Sequence, residues 1–361
     1  MLNYIMMSGL TCETCFSNIF ENKPWAGEMA FIKRLNEIEN ILIEKNKYIK
    51  IQSEKCLLCN KKIISKEFYI ENFKWNDSLS HYIKQHHIKP SDKFIDFIYR
   101  FKLSKKVTKR IFKFKSNKYI INDISYVKLK RNQILIMDAL LIHGGYTKKY
   151  FDKKNIGQFK YSEHYGLLDF NQFSLERVII SGKTNRLDEN DKEIYLPKEL
   201  SNDVLEYEYL FHTHPPTPRP GGRAIDHIIY EFPSPNDIVS FVHLFNKGMT
   251  QGSIVMTSEG MYIIRKYNFN KKKIKINDEK AFNKIYNIEK KLQEKAIEKY
   301  GINFTTQFFY STISQDVHFI NRLNKTVSKF KLFIDYYPRT KIGNKWIIDT
   351  VYLPIFVTTK I

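Results

Sequence analysis

The sequence predicts a mixed α/β protein built from more than one domain, and three observations lead to that fold class. Residues 126–267 alternate between strand-like and helix-like stretches, as in a mixed sheet flanked by helices. Two C-x-x-C pairs, Cys12/Cys15 and Cys56/Cys59, precede them and predict a small zinc-binding module. Helical and then strand-like patterns follow residue 271. We therefore expect four segments: a zinc-finger-like module at 1–101, a basic linker at 102–125, a mixed α/β domain at 126–270 and an α+β extension at 271–361.

Hydrophobic periodicity predicts the elements of each segment. The N-terminal module is expected to contain helices at 31–42, 79–87 and 92–100. The mixed domain is expected to contain a strand-rich segment at 126–142, strands at 164–170, 175–181 and 206–214, a helix at 236–245 and a hairpin at 252–267. The extension is expected to contain helices at 279–300 and 314–329 and strands at 332–337 and 346–356.

The composition favours folded domains in a reducing compartment. The 361 residues are 43% apolar and 15% aromatic, which allows hydrophobic cores and excludes a disordered chain. Only 4 cysteines are present, so metal binding is favoured over a disulfide framework. Residues 1–10 lack the basic start of a signal peptide, and the longest apolar run, 134–142, is shorter than the about 20 residues of a membrane-spanning helix. We expect an intracellular protein, cytoplasmic or nuclear, without membrane binding.

The chain is strongly basic. Its 59 Lys and Arg residues exceed its 38 Asp and Glu residues by 21, a balance that favours an acidic partner such as nucleic acid. The charge is densest at residues 102–118, where basic and apolar residues alternate without an acidic one. This run predicts a linker, and contact with nucleic-acid phosphates is the alternative.

The N-terminal module is predicted to hold a structural zinc ion. Cys56 and Cys59 form a knuckle, and His81 and His86 lie on one face of the helix that follows. Two thiolates and two imidazoles suit a tetrahedral zinc site. Two other ligand sets remain open at this point. His87 could replace His86, or the first C-x-x-C pair could replace the two histidines.

A second group of metal-binding residue types lies in the mixed domain. His212 and His214 are two residues apart on a predicted strand, so their side chains point to the same face. Asp237 begins the helix that follows and can supply an oxygen ligand. Three protein ligands and one open position are typical of a catalytic zinc site. Such a hydrolase also needs a carboxylate that takes a proton from water, and Glu163 heads a neighbouring strand.

This constellation resembles the JAMM motif of the MPN/JAB metalloprotease family. The family pattern is a Glu, then H-x-H, then S-x-x-D. The chain has these parts in the same order: Glu163 with Gly166, then His212-Thr-His214-Pro, then Ser234-Pro-Asn-Asp237. The similar region covers about residues 126–267, less than half of the chain. The resemblance implies an MPN/JAB-like mixed sheet flanked by helices.

The resemblance also implies a role for each residue. His212, His214 and Asp237 would bind the catalytic zinc ion. Glu163 would be the general base, and Ser234 would help to stabilise the tetrahedral oxyanion. The implied reaction is hydrolysis of isopeptide or peptide bonds in a protein substrate, including deubiquitinase-like removal of ubiquitin or a related modifier.

The chain departs from the family pattern between H-x-H and the Ser. The gap spans 19 residues, 215–233, and is longer than usual in the family, so we expect a loop beside the cleft that shapes substrate access. Glu176 and Glu206 are other candidates for the base, although neither precedes x-x-G. The alternative function is a non-enzymatic zinc-finger protein that binds nucleic acid and has an MPN-like scaffold domain.

Overall fold

The computed structural model divides the chain into two compact units, Met1–Val107 and Thr108–Ile361. The structure describes residues 25, 27–51, 54–56, 58–63, 66–101, 110–114, 117–146, 150–151, 159–160, 163–171, 174–180, 204–214 and 220–360. The Cys12/Cys15 pair, residues 102–109 of the basic run and residues 215–219 of the predicted loop lie outside these ranges.

The first unit combines three helices with short strands. The helices are α1 (Glu28–Glu44), α2 (Leu79–His86) and α3 (Asp92–Arg100). The strands are β1 (Ile49–Lys50), β2 (Glu54–Lys55), β3 (Lys62–Ile63), β4 (Lys66–Ile70) and β5 (Phe73–Asn76). Strands β1, β4 and β5 form one sheet in the order β1-β4-β5, and β2 and β3 form a separate hairpin.

The helices of the first unit form where the sequence predicts them. The buried side chains of α1 include Phe31, Leu35 and Ile38, whose spacing of three and four residues gives the helix one apolar face. Helix α3 begins after Ser91, whose side chain accepts a hydrogen bond from the Phe94 amide at 3.2 Å.

The second unit contains most of the strands. In chain order they are β6 (Arg110–Phe114), β7 (Asn117–Leu129), β8 (Tyr150–Phe151), β9 (Phe159–Lys160), β10 (Tyr165–Asn171), β11 (Ser174–Ile180), β12 (Tyr209–Thr213), β13 (Gly252–Met256), β14 (Gly260–Lys266), β15 (Leu332–Pro338), β16 (Thr340–Ile342), β17 (Lys345–Ile347) and β18 (Val351–Lys360). Its central sheet has six strands in the order β11-β10-β12-β13-β14-β15. Within it β12 and β13 are parallel, and the other neighbours are antiparallel.

Helices cover this sheet and enclose the largest core. They are α4 (Arg131–Tyr146), α5 (Pro235–Lys247), α6 (Asp278–Tyr300) and α7 (His318–Val327). Helix α6 packs against both α5 and α7, and α7 packs on β15. Phe241, Ile285 and Leu323 from the three helices meet Val255 and Tyr262 of the sheet in one buried cluster. The second unit is therefore a mixed α/β unit with a six-stranded mixed sheet and flanking helices.

The C-terminal region is part of the second unit, which differs from the predicted separate extension at 271–361. Strand β15 pairs with β14 over its whole length, from Gly260↔Pro338 to Lys266↔Leu332. Strand β18 pairs with β7 in a second sheet of order β18-β7-β6. The described part of the predicted linker at 102–125 also differs from the prediction, because it forms β6 and the start of β7. Backbone pairing with distant strands explains both differences, since local sequence carries no record of it.

Residues 126–142 also differ from the predicted strand-rich segment. Strand β7 ends at Leu129, and the rest of the segment is α4. The buried residues Ile134, Met137, Asp138 and Leu141 follow helical spacing, whereas Ile142 is exposed. A continuous apolar run is compatible with a buried strand or a helix, and here packing decides for the helix.

No helix in the described parts of the chain has both the length and the apolar character required to cross a membrane.

Candidate metal centres

Strand β12 places His212 and His214 at one end of the central sheet. His212 is paired with Tyr165 of β10 on one side and with Val255 of β13 on the other. The His214 amide then donates to the Met256 carbonyl at 2.9 Å. The Tyr165 ring stacks on the His212 ring with 6.2 Å between centroids. His212 is therefore held by strands on both sides, and His214 is held by the end of β13.

The start of α5 places Asp237 beside the two imidazoles. Ser234 is the N-cap residue and Pro235 the first helical residue. The Ser234 side chain accepts a hydrogen bond from the Asp237 amide at 3.2 Å, and the Asp237 carboxylate accepts one from the Ser234 amide at 2.7 Å. This reciprocal capping box fixes the direction of the Asp237 carboxylate.

The ligand atoms of these three residues lie close together, and we call the group the ligand triangle. His212 Nε2 lies 3.2 Å from His214 Nε2 and 3.3 Å from Asp237 Oδ1. His214 Nε2 lies 3.3 Å from Asp237 Oδ2. Zinc bonds to nitrogen and oxygen of about 2.0–2.2 Å correspond to edges of about 3.3–3.6 Å in a tetrahedron. The three residues can hold a metal ion, and each of these pairwise distances is close to such an edge.

In the metal-free protein the surroundings of His214 favour its protonated form. Burial by itself lowers the pKa of His214, but the hydrogen bond to Asp237 and the charges of Asp237, Glu163 and Glu231 raise it to about 9. Burial by itself raises the pKa of Asp237, but the two imidazoles hold it well below its usual range. A metal ion that binds here must therefore displace a proton.

Glu163 lies at the same end of the sheet as the two histidines. The register of β10 and β12 pairs Tyr165 with His212, and beyond it the Thr213 amide donates to the His164 carbonyl at 2.9 Å. Glu163 is the residue that precedes His164. The Glu163 charge accordingly acts on His214. The other two candidates are placed differently. Glu206 precedes the far end of β12, and Glu176 is exposed on the edge strand β11.

Gly166 is required by close packing between β10 and its neighbours. A Cβ atom at this position would overlap the Phe211 ring and the Ile179 carbonyl oxygen. The glycine of E-x-x-G thus lets β10 lie close enough to β12 and β11 for Glu163 to reach its place.

The long segment after H-x-H supports His214 from outside the triangle. The Glu231 carbonyl accepts a hydrogen bond from His214 Nδ1 at 3.2 Å, which leaves Nε2 free for a metal ion. The Glu231 carboxylate pairs with Arg223 at 2.8 Å, and the Glu231 amide donates to Glu259 at 2.6 Å. The segment predicted to shape substrate access therefore also positions a ligand. Sequence reasoning missed Glu231, because a backbone carbonyl leaves no motif.

The second centre lies in the first unit and contains the predicted Cys56, Cys59, His81 and His86. Cys56 Sγ is 3.2 Å from His86 Nε2, and Cys59 Sγ is 3.4 Å from His81 Nε2. Burial lowers the pKa of both histidines, which favours the neutral form that binds metals. These four residues can hold a metal ion.

His87 is excluded from this second centre by its own contact. Helix α2 ends at His86, and His87 has left-handed backbone angles, with φ at 54°. Its Nδ1 lies 3.0 Å from the Glu28 carboxylate of α1. Of the two histidines that spacing left open, the structure brings His86 into the group with Cys56, Cys59 and His81.

The chain is similar to a known viral protein. The chain is 35% identical over 319 residues to the uncharacterized protein R413 of Acanthamoeba polyphaga mimivirus, an alignment that covers 83% of this chain and 85% of that protein. No protein-family model and no solved structure matches the chain.

Proposed function

The chain belongs to the family of the mimivirus protein R413, and we propose that it is a zinc-dependent hydrolase of the JAMM type that cleaves isopeptide or peptide bonds. The observation that carries the proposal is the triangle of His212, His214 and Asp237, with Glu163 at the same end of the sheet. Three protein ligands leave a coordination position open, as catalytic zinc sites require.

The proposed chemistry divides the work among the residues of the site. A zinc ion would lower the pKa of a bound water molecule to about 7. Glu163 would take the proton of the attacking water and return it to the leaving amine. Asp237 and the Glu231 carbonyl keep the imidazoles oriented throughout. Ser234 holds Asp237 through the capping box, and its hydroxyl hydrogen is available to stabilise the oxyanion.

Ubiquitin chains and peptides joined through a lysine side chain are the substrates with which to test this proposal. The purified chain, loaded with zinc, is incubated with ubiquitin dimers of every linkage and with model isopeptides. Glu163→Gln should retain zinc and lose at least about 100-fold in cleavage rate. Glu176→Gln is the matched control, because Glu176 is exposed on an edge strand, and it should cleave like the wild type.

Two results would contradict the proposal. Full activity of Glu163→Gln would remove the assigned base. Failure of the zinc-loaded wild type to cleave any of these isopeptide or peptide substrates would remove the reaction class.

Nucleic-acid binding is the second candidate function, supported by the Cys56, Cys59, His81 and His86 cluster and by the net charge of +21. It predicts binding to RNA or DNA that weakens steeply as salt rises. Retention of that binding after His212→Ala, together with its loss after Cys56→Ser, would assign it to the first unit.

A further inference from the structure

Helix α6 carries a half-buried carboxyl group on the side that packs against the core. Its buried residues Ala281, Ile285, Leu292 and Ala296 follow helical spacing, and Glu289 lies on the same stripe, four residues after Ile285. Glu289 Oε1 is inaccessible to solvent and has no hydrogen-bond partner among the described residues. A buried polar atom without a partner destabilises a protein by about 1–3 kcal/mol. Stability therefore does not explain a glutamate at this position.

Two residues of the first metal centre, Asp237 and His214, act electrostatically on the carboxyl of Glu289. Burial raises the pKa of Glu289 well above its usual range. The charge of Asp237 raises it further, and the charge of His214 lowers it. Both of these residues are among the proposed metal ligands. The half-buried carboxyl of Glu289 is thus close enough to Asp237 and His214 to respond to their charges.

The same face of α6 is fixed to the segment that supports His214. Gln293, one turn after Glu289, accepts hydrogen bonds from the Ile229 and Tyr230 amides at 3.0 and 3.2 Å. It also donates to the Tyr230 carbonyl at 2.6 Å. The next residue, Glu231, provides the carbonyl that holds His214. Glu289 therefore has a defined position relative to the triangle.

We propose that Glu289 is a further carboxyl of the metal site and that its unpaired oxygen accepts a hydrogen bond from a water molecule that arrives with the ion. The proposal rests on metal binding by His212, His214 and Asp237, as in the proposed function. It extends the site beyond the region that resembles the JAMM pattern, because α6 lies outside residues 126–267. Glu289 is a positioning residue in this scheme. Carboxylates in this outer position commonly change metal affinity by 10–100-fold.

The proposal requires opposite effects of one substitution on stability and on metal binding. Glu289→Met replaces the unpaired carboxyl with an apolar side chain of similar length. The metal-free variant should melt about 2–6 °C higher than the wild type, because a buried unpaired oxygen is removed. Its affinity for Zn²⁺ at the triangle should fall by about 10-fold or more. Substitution of a residue with only a structural role would not raise the melting temperature and lower the zinc affinity together.

Zinc affinity is measured by competition with a chromophoric chelator, on full-length protein carrying Cys56→Ser so that the second centre does not contribute. Glu289→Gln keeps the shape but replaces one carboxyl oxygen with an amide donor, and it should also bind zinc at least about 10-fold more weakly. Glu294→Gln, on the exposed side of the same helix, is the matched control and should bind like the wild type.

Unchanged zinc affinity in both Glu289 variants would overturn the proposal. A wild type that binds no zinc at the triangle would overturn both the proposal and the proposed function. A wild type that binds zinc but hydrolyses nothing would remove the function alone, because the Glu289 measurement needs no substrate.

Discussion

Two hydrogen bonds join Ser234 and Asp237 at the start of α5, and the Asp237 carboxylate also contacts both imidazoles of the first metal centre. One Asp237 oxygen accepts from the Ser234 amide at 2.7 Å, while the two oxygens lie 3.3 Å from His212 and His214. Asp237 is thus both the N3 residue of the capping box and the oxygen ligand of the metal centre.

Removal of the Ser234 hydroxyl should weaken zinc binding itself, apart from any effect on the rate of cleavage. Loss of an N-cap costs about 1 kcal/mol, which corresponds to about fivefold in affinity if it is transmitted to Asp237. We expect Ser234→Ala to bind Zn²⁺ severalfold more weakly, and Ser234→Thr, which keeps a capping hydroxyl, to bind like the wild type. Chelator competition measures both. Equal affinity of the alanine variant and the wild type would show that the cap does not position the ligand. The oxyanion role of Ser234 remains a separate prediction.

Metal binding at the triangle should become stronger as the pH rises. Because the folded pKa of His214 is raised to about 9, this side chain is protonated at neutral pH, and the proton competes with the ion. Apparent affinity should therefore increase up to about tenfold for each pH unit below 9 and become constant above it. Calorimetry in buffers of different ionisation enthalpy should find close to one proton released by His214 at neutral pH. Affinity that does not change between about pH 6.5 and about pH 8.5 would contradict this protonation state.

His86 and His87 provide a matched pair in the first unit. His86→Ala removes a ligand of the second centre and should abolish its metal binding and lower the melting temperature of the unit. His87→Ala removes only the contact with Glu28 and should keep the metal. Metal analysis with thermal unfolding distinguishes them. If His87→Ala lost the ion and His86→Ala kept it, the ligand set would be wrong.

Gly166→Ala should destabilise the protein, although this substitution commonly stabilises an ordinary position. The added Cβ atom would overlap the Phe211 ring and the Ile179 carbonyl, so strands β10, β11 and β12 must move apart. We expect a loss of about 1–3 kcal/mol in the free energy of unfolding and weaker zinc binding. Denaturant unfolding of the metal-free and zinc-loaded forms measures both effects. A variant as stable as the wild type would show that the strands can separate without cost.

Local patterns were sufficient to predict the parts of both centres that lie on single elements. H-x-H on a strand places two imidazoles on one face, and S-x-x-D at a helix start is both a cap signal and a ligand signal. The knuckle of Cys56 and Cys59 and the helix that carries His81 are equally local. In each case a short spacing determines the direction of the side chains.

The remainder depends on contacts between distant parts of the chain. Asp138 of α4 forms a buried ion pair with Arg339, 201 residues later, at 2.9 and 2.6 Å. Strand β18, near the end of the second unit in sequence, similarly pairs with β7, near its beginning. Neither partner carries a motif that identifies the other. Pairings of this kind join the described residues of 102–125 and 271–361 to the rest of the second unit, which local patterns could not indicate.

Metal content per chain, measured on purified full-length protein, tests the central claim most directly. The wild type should carry two ions, and His212→Ala and Cys56→Ser should each carry one, with none left in the double variant. If His212→Ala retained the full content of the wild type, His212, His214 and Asp237 would not be a metal centre, and the proposed hydrolase would lose its basis.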